Sequence, residues 1–250
     1  MPTRDSLISI IVPVFNEEAG IAYLAERLRT VRNQWPQRPI QFVMVDDGSS
    51  DKTWDALRAV FGDDKSCVLV AHECNRGVGA AFRTGFIHAA GDIVCTIDAD
   101  CSYGPENLHL LVDALECGGA DIAVASPYHP DAGVDNVPQW RLMLSRGCSL
   151  LYRLTSPVRL YTYTSVFRAY RRAVIEQVSF KEDGFVSAVE VLIRAAEQNF
   201  RITEVPMTLH ARKFGTSKMK VLRTIRQHLS LIARNLGRRP APVNQTAAQR

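Results

Sequence analysis

The chain has 250 residues, 46% hydrophobic and 22% charged, proportions that suit one large α/β domain with a tail and exclude a fibrous repeat or wholesale disorder. No run approaches the ~18 apolar residues of a membrane span, and the opening MPTRDSLISIIVPV enters a strand without a signal-peptide cleavage site, so a cytoplasmic protein is expected. Charge is divided unevenly: up to Glu204 there are 20 basic and 26 acidic residues, and after it ten basic and no acidic ones, a bias that suits an anionic partner.

In chain order, Leu7 to Val14 (LISIIVPV) reads as a strand buried on both faces. Asn16 is placed to cap a helix whose apolar face is Ile21, Leu24, Leu28 and Val31. Ile40 to Val45 is a second buried strand, followed by Asp46-Asp47-Gly48-Ser49-Ser50 and a helix through Trp54, Leu57 and Phe61. Cys67 to Ala71 makes a third strand, Val78 to Ala90 a third helix, and Ile93 to Ile97 a fourth strand ending in Asp98-Ala99-Asp100. Pro105 begins the next helix at its first position, where the missing N–H costs nothing. Beyond Ala125 the pattern loosens into a polar loop over Ser126 to Gln139, then a helix from about Arg141 to Leu154 and a strand near Val166 to Tyr170. A helix over Ser187 to Asn199 and a proline-bearing, edge-like strand over Ile202 to His210 complete the body. The alternation predicts a doubly wound, mostly parallel sheet flanked by helices, with ligands outside the carboxyl ends of its strands. Residues 1–219 form the domain, 220–237 a basic amphipathic helix and 238–250 a flexible tail.

Asp98 and Asp100 at a strand end can present oxygens to Mg²⁺ or Mn²⁺ while leaving positions open for substrate phosphates, although a solvated Asp turn has the same spelling. Asp46 and Asp47 can accept hydrogen bonds from a nucleobase or ribose, while Ser50 or Asp51 is placed to cap the following helix. Gly77-Val78-Gly79-Ala80-Ala81-Phe82 lacks the third small residue of a dinucleotide fingerprint and follows the wrong strand; these glycines suit a helix packed closely on the sheet. Arg212 to Lys218 (RKFGTSK) suits a loop closing on phosphates and equally a solvated basic turn. The six cysteines contain no C-x-x-C pair and read as reduced thiols. From Lys220 to Leu236 the apolar residues Val221, Leu222, Ile225, Leu229, Ile232, Ala233 and Leu236 share a helical face, for packing on the domain or for a membrane surface.

The set Val12-Pro13-Val14-Phe15-Asn16-Glu17, Asp46 to Thr53, Asn75 to Ala81, Asp98-Ala99-Asp100, Thr164 to Tyr170, Glu190, Glu204-Val205-Pro206 and Arg212 to Lys218 resembles the family 2 glycosyltransferases of the GT-A fold. Within them it is most similar to the dolichol-phosphate mannosyltransferase group, over about Ser9 to Met219. The resemblance implies inverting transfer of a hexose from a nucleotide diphosphate sugar, GDP-mannose or UDP-glucose, to a polyprenyl phosphate. It implies a donor pocket of Pro13, Glu17, Asp46, Asp47 and Asp98, a metal on Asp98 and Asp100, acceptor contacts from Arg141 and Ser145, and closure by Arg212 and Lys218. It also implies work at a membrane surface, on the cytoplasmic face, alone or beside a membrane-embedded partner. No aromatic-interleaved motif accompanies the basic tail, so nucleic acid is not expected as a partner.

Three departures from the group's pattern stand out. Pro127 stands between Ser126 and Tyr128 where an Arg is usual; Thr162 and Val166 replace an Asp and a Gly around Thr164-Ser165; and Cys101-Ser102-Tyr103 follows the metal pair in place of a Gln-His pair. Two other readings stay open: a hydroxyl acceptor with Asp183 as base, or a nucleotide-sugar-binding protein that is without turnover or is a subunit needing a membrane partner.

Overall fold

The computed structural model describes residues 6–214 and 221–236. Strand and helix alternate through β1 (Ile8–Val14), α1 (Ile21–Gln34), β2 (Ile40–Asp46), α2 (Thr53–Phe61), β3 (Cys67–Ala71), α3 (Val78–His88) and β4 (Ile93–Thr96). Next come α4 (Leu108–Glu116), β5 (Ile122–Ser126), β6 (Val134–Asp135), α5 (Gln139–Thr155) and β7 (Arg168–Arg171). The chain continues through α6 (Arg172–Gln177), α7 (Ser187–Glu197), β8 (Ile202–Pro206), β9 (Leu209–His210) and α8 (Val221–Leu236).

Among the described residues the main sheet has seven strands in the order β3-β2-β1-β4-β7-β5-β8. Only β7 breaks the parallel order, running antiparallel between β4 and β5. β1 pairs with β2 along its whole length but with β4 only as far as Ile11, so the missing N–H of Pro13 breaks no bond to β4. β8, with Pro206 at its end, is an edge strand as its sequence predicts.

Alternating strand residues feed two cores, because successive side chains point to opposite faces. Ile8, Ile10, Val12 and Val14 of β1 pack with Leu24, Leu28, Leu57 and Leu111 from α1, α2 and α4 on one face. On the other, Ile11, Val43 and Val94 meet Ala81, Phe82, Tyr152, Val189 and Leu192, together with Leu231 and Ile232 of α8.

Three local expectations are corrected. Asn16 does not cap α1: its φ is +52° and its Oδ1 accepts the Ser50 N–H, so the chain makes a 3-10 turn over Glu18–Gly20 before the helix begins. The segment Ser126 to Gln139 is not all loop, since β6 pairs with β9. α5 starts at Gln139, immediately after extended Pro138, and α6 follows β7 without a connection.

Candidate active site

The loops after β1 and β2 are laced together by side chains. Ser49 Oγ accepts the Asn16 N–H at 2.9 Å, Thr53 Oγ1 accepts the Glu17 N–H at 2.9 Å, and Asp46 Oδ1 closes its own turn on the Ser49 N–H at 3.0 Å. Asp51 accepts the Thr53 N–H at 3.0 Å, at the start of α2. Pro13, Glu17 and Asp46 are thereby brought to one edge of the sheet, with Asp46 almost fully buried.

Asp47 is a hub. Its Oδ1 accepts the Arg76 N–H at 3.0 Å and faces His72 Nδ1 at 2.7 Å; its Oδ2 accepts from Gly77 N–H at 2.7 Å and Asn75 Nδ2 at 2.9 Å. With four donors around two oxygens, the carboxylate is saturated by the turn that opens α3. Gly77, at φ +100°, is required there, since a side chain would strain the backbone and strike the Asp183 carbonyl. Neither His72 nor this hub is visible as a local signal: the partners lie 25 to 30 residues from Asp47.

Beyond β4, Asp98 is half-buried and Asp100 accepts the Ser102 N–H at 2.9 Å across a turn in which Cys101 takes φ +53°. The small β6–β9 pair supplies the cation. The Ala211 N–H bonds Asp135 O at 3.0 Å and the His210 N–H bonds Ser102 O at 2.9 Å, which seats Arg212 over the carboxylates. Its Nη2 lies 2.8 Å from Asp100 Oδ2 and its Nη1 3.5 Å from Glu17 Oε1. Burial, and then the Asp100 charge, hold the Asp98 carboxyl well above the usual carboxylate range, while Arg212 and Arg141 act in the opposite direction. Lys213 stands 4.6 Å from the Tyr23 ring centroid and Phe214 packs on the same ring at 5.6 Å, fixing the start of the basic loop on α1. Lys218 lies outside the described residues.

From the other side, α5 carries Arg141, whose charge acts on Asp98, and Ser145 Oγ meets Thr164 Oγ1 at 2.8 Å. One departure from the family pattern, Thr162, is held by internal hydrogen bonds. Thr162 Oγ1 pairs with Ser126 Oγ at 2.8 Å, and the Glu204 carboxylate accepts the N–H groups of Tyr161 and Thr162 at 2.7 and 2.8 Å. Asp183, the alternative base, is ion-paired with Arg83. All six cysteines are free, as their spacing predicts.

Two nearby carboxylates, both partly buried, that repel each other and face a guanidinium form a donor set that suits a hard divalent cation completing its shell with phosphate oxygens and water. Among the described residues no group of three or more His, Cys, Asp and Glu side chains is disposed to hold a metal by itself.

A doubly wound sheet carrying this acidic pair and its arginine at the carboxyl edge places a charged ligand site where open α/β sheets bind their ligands. The chain belongs to glycosyl transferase family 2, whose model matches residues 9–179. It is 33% identical over 225 residues to the polyprenol monophosphomannose synthase of Mycolicibacterium smegmatis, covering 87% of this chain and 82% of that one. It is 31% identical to the dolichol-phosphate mannosyltransferase of Pyrococcus furiosus over 91% of this chain, but spans only 63% of that protein's length. The fold is that of glucosyl-3-phosphoglycerate synthase from Mycobacterium tuberculosis, solved with Mn²⁺ and uridine diphosphate: TM-score 0.69, 21% identity, and coverage of 93% of this chain and 80% of that one.

Proposed function

We infer that the protein transfers a hexose from a nucleotide diphosphate sugar to a polyprenyl phosphate, with inversion at the sugar carbon. The observation that carries this reading is the meeting of Glu17, Asp98, Asp100 and Arg212 at one sheet edge, with Arg141 approaching from α5. It is supported by the polyprenyl-phosphate and dolichol-phosphate sugar synthases among the relatives.

The donor's nucleoside lies against Pro13, Glu17 and Asp46, and Asp47 acts through the turn it organises. Asp98 and Asp100 are the residues that would hold Mg²⁺ or Mn²⁺, and such a cation supplies charge neutralisation on the donor diphosphate. When the sugar–phosphate bond breaks, negative charge builds on the leaving diphosphate; Arg212 is released from Asp100 and Glu17 to meet it, joined by Lys218. Arg141 and Ser145 bind the acceptor phosphate. That phosphate is already anionic near neutral pH and needs no general base. The hydroxyl-acceptor alternative is disfavoured because Arg83 holds the Asp183 carboxylate as an ion pair. The acceptor sets the place of work, the cytoplasmic surface of a membrane, reached by the protein alone or with a membrane-embedded partner. Among the described residues no helix is long and apolar enough to cross one.

The test is release of nucleoside diphosphate from GDP-mannose or UDP-glucose, with and without a short polyprenyl phosphate, in Mn²⁺ or excess chelator. Release that needs both the lipid phosphate and the cation supports the reading. Equal release without lipid, transfer to a hydroxyl acceptor alone, or full activity in chelator overturns it.

A further inference from the structure

Arg212 reaches the carboxylates from a backbone that is held on both sides. Before it, the His210 and Ala211 N–H groups bond Ser102 O and Asp135 O. After it, the chain rests on a side chain of another element, Tyr23 of α1. Lys213 Nζ stands 4.6 Å from the centroid of that ring, and the Phe214 ring lies 5.6 Å away, tilted by 54°. The seat adjoins the carboxylate that Arg212 faces: a Cβ on Gly20 would lie 3.9 Å from Phe214 Cβ and 3.8 Å from Glu17 Oε2.

Burial does not account for this arrangement. Helix α1 buries Ile21, Leu24, Ala25, Leu28 and Val31. Tyr23 is only half-buried, and Phe214 is 42% accessible. An aromatic pair so open adds little to a core; what it fixes is the course of the chain next to Arg212. The ring is itself held. Arg27, four residues on and so a neighbour on the helix surface, has its guanidinium carbon 5.9 Å from the same centroid and is ion-paired with Glu106. Glu106 belongs to the 3-10 turn over Pro105–Asn107, just beyond Asp98-Ala99-Asp100. Its charge balances one of the two cations that share the ring. At Tyr23, therefore, α1, the segment after the acidic pair and the chain carrying Arg212 meet.

We propose that Tyr23 is a positioning residue for Arg212. Its ring pins the backbone just after Arg212, so the guanidinium passes from the carboxylates to the leaving diphosphate by a side-chain swing alone. A cation already in place meets the developing charge without the cost of ordering its chain at that moment. This deepens the proposed function and rests on it for the charge that Arg212 meets; the seat itself is read without substrate.

Tyr23→Phe keeps the ring, whereas Tyr23→Leu removes it from a half-exposed position. The full-length chains are treated with a low dose of trypsin, and cleavage of the Arg212–Lys213 and Lys213–Phe214 bonds is followed by mass spectrometry. In Tyr23→Leu cleavage there is expected to be faster by about tenfold, with cleavage elsewhere in the body unchanged, and Tyr23→Phe is expected to match the parent. Transfer from GDP-mannose or UDP-glucose to a short polyprenyl phosphate is then measured in Mn²⁺. Tyr23→Leu should lower kcat by about tenfold with little change in the donor KM, as befits a contact made in the transition state, and Tyr23→Phe should stay within about twofold of the parent. In an Arg212→Ala background Tyr23→Leu should lower kcat no further, because the two residues act as one. Unchanged cleavage beside Arg212 in Tyr23→Leu, an equal loss of kcat in Tyr23→Phe, or additive losses in the double variant overturns the proposal. A parent chain that transfers no sugar removes the proposed function instead, and the cleavage pattern still decides whether Tyr23 seats the segment.

Discussion

Asp47 and Asp100 follow β2 and β4, the two strands that flank β1, at the same edge of the sheet, yet their surroundings separate their work. Asp100 has one backbone donor and one guanidinium, and its second role is open to a cation. Asp100→Asn keeps an oxygen for the Ser102 N–H but loses the charge. The expected outcome is turnover lower by about 100-fold or more, with stability altered by about 1 kcal/mol or less because the loss of the Arg212 pair is offset by relief of repulsion on Asp98. Steady-state rates and urea denaturation of the same preparation check both halves. Asp47→Asn behaves differently. Its amide nitrogen would confront two of the four donors that now converge on a buried carboxylate, at a cost of about 2–3 kcal/mol. Denaturation should show that loss directly, and a variant as stable as the parent would mean that the α3 turn does not depend on Asp47.

At the scale of elements, α8 is held by contacts that respond to pH. Burial lowers His228 from its ordinary 6.5 to about 4, so the folded chain keeps the imidazole neutral where the unfolded chain protonates it. The sign follows: docking of α8 is complete above about pH 6.5 and weakens progressively as pH falls toward 4, by at most about 3 kcal/mol. Amide protection factors in α8, taken relative to the intrinsic exchange rate at each pH, should be lower at about pH 5 than at about pH 7.5, and His228→Gln should flatten the difference. Identical pH dependence in that variant would assign the effect to other groups. The neighbouring element β6–β9 is only two residues long on each side, but it seats Arg212. Its pairing joins segments about 75 residues apart; β9 falls at the end of the run that reads as a strand over Ile202 to His210, whereas β6 lies in a segment that reads as loop.

For the molecule as a whole, α8 is part of the second core rather than an appendage. Leu231 and Ile232 are buried in that core and Arg234 is ion-paired with Glu182. Ending the chain after Met219 is therefore expected to destabilise it by roughly 3–6 kcal/mol, from the two buried aliphatic side chains alone. A lower urea midpoint for the shortened chain checks this; an unchanged midpoint would show that the domain closes without the helix.

What the sequence by itself determined is whatever near neighbours encode: the buried β-branched runs of β1, β2 and β4, the α/β alternation, and the carboxylates at strand ends, including the Asp98–Asp100 pair. Even the family was legible, because its blocks fall in order along the chain. Only the tertiary structure decided which of two apolar faces is buried. Seven α8 residues from Val221 to Leu236 share one face on a helical wheel, yet Ile232 is inside while Leu222, Ile225 and Leu229 are outside. It likewise decided that β7 enters antiparallel, that Asn16 bonds Ser50 instead of capping α1, that Asp47 is saturated, and that Glu204 holds Tyr161 and Thr162. The reason is range. Periodicity reports how a segment is built, with period 2 or 3.6, whereas each of these outcomes depends on a partner some 25 to 80 residues away that supplies the donor, the charge or the covering surface.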